Sequence, residues 1–196
     1  RGFYSPCTGL LWTEELKDSI WEILPDIEGG TVGIWNPGCG RGLESCSIAC
    51  IARLRYPQAR IKVWANDNSL IDISTAPNIV LPEQDIPGYI KKNNLAARVA
   101  RGYQFSREIE DIVLFEYHDI LNENVIPPVD IIIARDVLSF LKPEGQLRII
   151  EEFQRLLKED GILVTGNNEK LPGEGWKLIH GMNIIAYCKS GNQASR

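Results

Sequence analysis

The sequence predicts an α/β domain built on a doubly wound, mostly parallel sheet, and three observations carry that reading. The apolar run Thr31 to Trp35 leads into Gly38-x-Gly40-x-Gly42 and then into an apolar segment free of Gly and Pro, which is the pattern of strand, tight turn and helix. A second strand-like run, Ile61 to Ala65, closes on an acid, Asp67. Two further apolar runs, Val113 to Tyr117 and Val129 to Ala134, each end in a polar cluster, His118-Asp119 and Arg135-Asp136.

Composition bounds the function classes. The 196 residues, 44% of them hydrophobic, are enough for one domain with a full core. A net charge of -5 argues against partners held through phosphates, so nucleic acid is not expected. No apolar run approaches the roughly 20 residues that cross a bilayer, and the N-terminus lacks a signal-peptide pattern, so membrane insertion is not expected. The expectation is a soluble cytoplasmic domain, and a start at Arg1 reads as a domain cut from a longer protein. The five cysteines show no CxxC spacing and read as reduced thiols. Cys46 and Cys50 fall one helical turn apart, but with only His118 and His180 to complete a metal site they read as buried small apolar residues.

Taken in order, Arg1 to Trp12 reads as an irregular apolar segment packed on a surface or across a cleft. Thr13-Glu14-Glu15 caps and charges a helix running to Leu24, with Leu16, Ile20 and Ile23 on one face. Strand, glycine loop and helix follow, the helix starting near Leu43 and ending by Tyr56-Pro57, and then the second strand. From 70 to 112, Pro77, Pro82, Pro87 and Gly88 break any long helix; this stretch reads as a small insertion, about 77–110, with Tyr103 to Phe105 as a short strand. The runs at Val113 and Val129 read as buried strands. A helix from Pro143 to Lys158, its apolar face at Leu147, Ile150, Phe153 and Leu157, leads to strand Ile162 to Val164. Trp176 to Ile179 and Asn183 to Tyr187, turning at Gly181, read as a hairpin. The expected organisation is an N-terminal segment and helix over 1–30, a main domain over 31–190 and a tail over 191–196.

The glycine loop is of nucleotide-binding type: glycines admit a sharp turn and close approach, and the following helix aims unpaired N–H groups into it. Its spacing lacks the third glycine of the dinucleotide fingerprint, which counts against a nicotinamide-dependent oxidoreductase. Asp67, about 25 residues on, stands where a ribose is normally hydrogen-bonded, and it could equally cap the next short helix at Ser69. A doubly wound sheet closing in an antiparallel hairpin is the architecture of S-adenosylmethionine methyltransferases. It brings Gly38, Asp67, Asp119 and Asp136 together at the carboxyl ends of the strands.

Over nearly the whole chain the residues resemble one family, the chemotaxis receptor methyltransferases (CheR). Ile34 to Ala49 resembles its I-W-S-A-G-C-S-T-G-E-E-P-Y-S-L-A, Ala65-Asn66-Asp67 its A-T-D, and Ile133 to Phe140 its F-C-R-N-V-L-I-Y. Asp119-Ile120-Leu121 stands at its N-L-L, and Phe153 to Gly161 resembles F-x-x-L-L-K-P-G-G. The insertion is similar to the family's small β-subdomain, which docks a receptor tail peptide. The resemblance implies that S-adenosylmethionine or S-adenosylhomocysteine is bound by Gly38, Gly40, Gly42, Glu44, Asp67, Asp119, Ile120, Asp136 and Val137. It implies chemoreceptors or other chemotaxis array proteins as partners and methylation of a receptor glutamate.

The departures from the family fall on its chemistry. Its N-terminal Asn-x-Thr-x-Phe-Phe-Arg is absent: one alignment puts Ser5 at the active-site arginine, another Leu11 or Trp12. Its fourth-strand tyrosine is Phe140, two asparagines are Asp119 and Asp136, and Leu43 replaces one of two glutamates, leaving Glu44. No catalytic residue is therefore assigned. The expectation is a domain that binds the cofactor but is impaired in catalysis and serves assembly or sensing; an active glutamate methyltransferase is the alternative. The fourth strand also lacks the Pro-Pro-Tyr/Phe motif that stacks a flipped base. Self-association through Phe3, Tyr4, Leu10, Leu11 and Trp12 is expected, or else these residues cover the cleft.

Overall fold

A computed structural model describes residues 9–171 and 174–191. Phe3, Tyr4, Ser5 and Cys7, and the tail from 192, lie outside the described residues.

Thr13 caps helix α1 (Glu14–Trp21), its hydroxyl accepting from the Leu16 N–H. The helix stops short of Leu24, but Ile20, Ile23 and Leu24 are buried as the apolar spacing requires. Strand β1 (Thr31–Pro37) runs through the glycine loop into helix α2 (Leu43–Arg55), which is followed by β2 (Arg60–Asp67). The short helix α3 (Leu70–Thr75) follows, and then α4 (Gly88–Lys92), β3 (Ala96–Val99), β4 (Gly102–Phe105) and α5 (Arg107–Glu110). Strands β5 (Val113–Tyr117) and β6 (Val129–Ala134), helix α6 (Pro143–Leu156) and strands β7 (Leu157–Thr165), β8 (Trp176–His180) and β9 (Ile185–Lys189) complete the chain.

The main sheet has the order β5-β2-β1-β6-β7-β9-β8. Its first five strands pair in parallel, and β9 and β8 are antiparallel. Strand order therefore reverses between β1 and β6, and the crevice at their carboxyl ends is where such a sheet takes a ligand. Among the described residues, β3 and β4 pair with each other and with Leu81, outside the main sheet. Their buried Ala96 and Phe105 nevertheless join the core that packs α1 and α2 on one sheet face. The opposite face centres on Trp35, Ile132 and Leu163 under α6, where Trp35 meets Phe153 edge-on at 5.5 Å between ring centres.

Five sequence expectations are corrected. β5 is not buried: it forms the edge of the sheet, leaving Leu114 and Tyr117 more than half exposed. Helix α6 ends at Leu156 because Leu157 already pairs with Val129 as the first residue of β7. Its buried stripe is Ile149, Ile150, Phe153 and Leu156, which leaves Leu147 on the outer flank, 58% exposed. The last strand begins at Ile185, two residues beyond Asn183. Trp12 is not a surface contact, being 1% exposed within the core, whereas Leu10 is exposed.

Candidate functional site

The crevice is built by backbone geometry. Gly38, Gly40 and Gly42 all have positive φ, and two of them also need the missing side chain. A Cβ on Gly38 would stand 3.2 Å from Val137 Cγ2, and one on Gly42 would stand 2.4 Å from the Phe115 ring. The loop thus packs closely on Phe115 of β5 and on Val137 just after β6. The N-cap of α2 is Gly42, which has no side chain to offer the first N–H groups of the helix.

Asp67 ties the end of β2 to this loop. Its Oδ2 accepts from the Gly40 N–H and its Oδ1 from the Ser69 N–H, both at 2.8 Å. Ser69 itself caps α3, its hydroxyl accepting from Asp72. Each carboxylate oxygen has a second lone pair left for a vicinal diol, so holding the turn and holding a ribose are compatible.

Glu44 lies beneath the loop rather than in the open crevice. It is fully buried, with Oε1 accepting from Trp12 Nε1 at 3.1 Å and Arg135 Nη1 at 3.0 Å, and Oε2 from Asn36 Nδ2 at 3.3 Å. Asn36 also donates to the Ile133 carbonyl and accepts from Ser45, and the Trp12 N–H donates to Ser47. Burial pushes the Glu44 carboxyl up to about 7, opposed by Arg135 and by the hydrogen bonds from Trp12 and Asn36. The Arg135 guanidinium also lies 5.5 Å over the Trp12 ring. This cluster stitches the N-terminal segment, β1, α2 and the end of β6 into one unit.

Asp136 follows β6 with φ +62, and its backbone N–H donates to Glu169 Oε2 at 2.8 Å. Glu169, nearly buried, also accepts from the Gly166 N–H and from the Ser139 N–H and hydroxyl, clamping the turn after β6 to the end of β7. A Cβ on Gly166 would fall 2.2 Å from Asp136 Oδ1, so that carboxylate lies on the β7 side of the crevice. Val137 packs against Gly38, as noted above. Asp119 is exposed on the far side, its Oδ1 accepting from the Leu121 N–H, and Ile120 packs on the core under α6. With β2 and β1 between β5 and β6, Asp119 and Asp136 are roughly 14 Å apart across the strands. They flank the crevice without meeting.

Sequence reasoning missed Arg135, Trp12, Asn36 and Glu169. Arg135 stood inside a matched segment and was legible there; Glu169 follows β7 in a loop with no motif to mark it. No group of three or more potential metal ligands occurs among the described residues.

The family model for the CheR methyltransferase, SAM binding domain, matches residues 10–184. This chain belongs to the CheR family. Similar proteins include a chemotaxis protein methyltransferase of Listeria innocua, 23% identical over 181 residues, covering 91% of this chain and 69% of that protein. Another is an uncharacterized 104.1 kDa protein in the hypE 3′ region of Rhodobacter capsulatus, 25% identical over 150 residues. That match takes 73% of this chain and spans only 16% of that protein. Among solved structures, PKMT2 from Rickettsia typhi in complex with AdoHcy is similar at TM-score 0.53 and 18% identity, covering 83% of this chain and 26% of that one. A TehB-like SAM-dependent methyltransferase from Corynebacterium glutamicum gives 0.52 at 16% identity, covering 89% and 88%. At such identities the structures show the fold, a Rossmann-like methyltransferase fold.

The cofactor of this CheR domain is S-adenosylmethionine or S-adenosylhomocysteine. The residues present fit it. The three glycines give the loop a left-handed backbone, and Asp67 is anchored to it with lone pairs to spare. No helix among the described residues is long and apolar enough to cross a membrane.

Proposed function

We propose that this domain holds S-adenosylmethionine or S-adenosylhomocysteine over Gly38 to Gly42, with its ribose on Asp67, and transfers methyl groups slowly or not at all. It serves cytoplasmic assembly or sensing in chemotaxis, with chemoreceptors or other array proteins as partners. The observation that carries this reading is Asp136, an acid at the family's asparagine position, on the β7 side of the crevice, with Arg135 already engaged beside it. Methylating an ionised carboxylate needs no general base; it needs alignment, exclusion of water and a cation for the acceptor. Arg135, beside the crevice, is engaged by buried Glu44 and stacked on Trp12. Asp136 brings a negative charge to the same rim, and Phe140, half-exposed, has no hydroxyl to offer. An acceptor carboxylate about 4 Å from another costs about 4 kcal/mol at an effective dielectric of about 20, which the cofactor's sulfonium offsets only in part.

The second reading, a working receptor glutamate methyltransferase, is favoured by the family match over 10–184 and by the Listeria relative named a chemotaxis protein methyltransferase. Incubation with labelled S-adenosylmethionine and receptor fragments carrying methylation helices separates the two. Label appearing in glutamate at about 1 per second, an ordinary enzyme rate, would establish the second reading. Binding seen by calorimetry without transfer supports the first.

A further inference from the structure

A second concavity lies at the other end of the sheet from the glycine loop, on the face that α6 covers only in part. Alternation along β2 sends Ile61 and Val63 into the core beside α2, and so turns Arg60, Lys62 and Trp64 to the opposite face. There a cleft of about 310 Å³ is lined by Thr31, Arg60, Lys62, Val63, Trp64 and Leu114. Its shape comes from cross-strand pairing: Thr31 stands opposite Arg60, Gly33 opposite Lys62, and Leu114 opposite Trp64. A Cβ on Gly33 would lie 3.4 Å from Trp64 Cζ3, so the indole extends across that bare position toward Val129 and forms a wall of the cleft.

The charges around the cleft are not balanced. Arg60 and Lys62 stand two residues apart on one strand face, about 7 Å, and neither has an acidic partner among the described residues. Asp130 is held by Lys158 and by the Gly33 N–H. Glu116, on the Leu114 face of β5, pairs across to Asn66, well along toward the carboxyl end. In a chain of net charge -5, two like cations beside an indole in a cleft form a local field of the opposite sign.

We propose that this cleft binds a small anion carrying a flat ring, an aromatic carboxylate or an aromatic phosphate ester. The ring rests against Trp64 and the anionic group sits between Arg60 and Lys62. A cleft of this size takes one ring and its charged group, with an apolar wall for contact and two cations for orientation.

The test is NMR titration of the whole chain with phenyl phosphate and with benzoate. Benzyl alcohol supplies the ring without charge, and inorganic phosphate the charge without ring. Saturable shifts of the Trp64 indole and of the amides of residues 60–64 are expected, with affinity about tenfold above either half-ligand. Comparing the two aromatic anions separates carboxylate from phosphate; saturation by either supports the site. Arg60→Gln and Lys62→Gln should each weaken binding about tenfold. Thr31→Glu, at an exposed position opposite Arg60, should abolish it. These three substitutions are independent and lie on the surface, so failure of one to fold leaves the others decisive. Half-ligands binding as tightly as the aromatic anions, shifts centred elsewhere, no saturation, or indifference to all three substitutions would each overturn the proposal.

Discussion

At the scale of single residues, Asp67 holds the glycine loop at the crevice and Glu44 serves the fold beneath it. Asp67 grips two backbone N–H groups and faces the crevice, so Asp67→Ala should weaken S-adenosylhomocysteine binding by about 1.5 to 3 kcal/mol, the range for a charged hydrogen-bond partner. Calorimetry giving an unchanged dissociation constant would place the ribose elsewhere. Glu44 has a folded-state pKa raised from 4.5 to about 7. The folded state therefore holds this proton more tightly than the unfolded chain does. Its contribution is fully present below about pH 4.5 and is lost as pH rises toward 7, a fall of about 3 kcal/mol. Urea unfolding of wild type and Glu44→Gln at pH 5 and 7.5 checks this: the variant should lack most of that pH dependence, and parallel behaviour of the two proteins would contradict it. Asp136, with its carboxylate on the crevice rim, should favour the cationic methyl donor over the neutral product. The donor-to-product affinity ratio should then fall in Asp136→Asn, and a ratio that holds steady would show that Asp136 faces away from the sulfur.

At the scale of elements, the strand-loop-helix at Thr31 to Arg55 is the part on which the crevice depends. Gly42 combines a left-handed backbone with a neighbour, Phe115, that occupies the space of any side chain. Gly42→Ala should cost about 3 kcal/mol in stability from strain and overpacking together. Adding Phe115→Leu should recover part of that loss, which a double-mutant cycle by denaturant unfolding would measure. The same elements show what local sequence can and cannot reveal. Strand β1, the glycine turn and α2 were legible because each follows from its own residues: apolar period, positive φ, absence of Pro. Helix α6 was legible as a helix, yet its face was misjudged at Leu147, because two stripes of similar spacing were available and only the packing on Trp35 and Leu163 chooses between them.

At the scale of the whole molecule, cofactor binding and folding are linked. Saturating S-adenosylhomocysteine at about 100 times its dissociation constant should stabilise the domain by about 2.7 kcal/mol, read as a rise in melting temperature that Asp67→Ala diminishes. The Glu44 cluster also makes the site a property of the entire chain. Trp12 reaches Glu44 across 32 residues, Arg135 reaches it across 91, and Glu169 clamps Asp136 across 33. No periodicity or motif spacing encodes such contacts.

The sequence by itself determined the order of the main-sheet strands and of α1, α2 and α6, the glycine loop, the acid that closes β2 and, through five matched segments, the CheR resemblance. These are local properties of composition and turn chemistry. Only the tertiary structure decided that β5 is an exposed edge and that Glu44 is a buried keystone. It likewise decided that Arg135 is committed to that carboxylate and that Asp119 and Asp136 stand on opposite sides of the crevice. Burial, ion pairing and separation depend on which strands become neighbours, and the order β5-β2-β1-β6-β7 is set by packing between residues far apart in the chain.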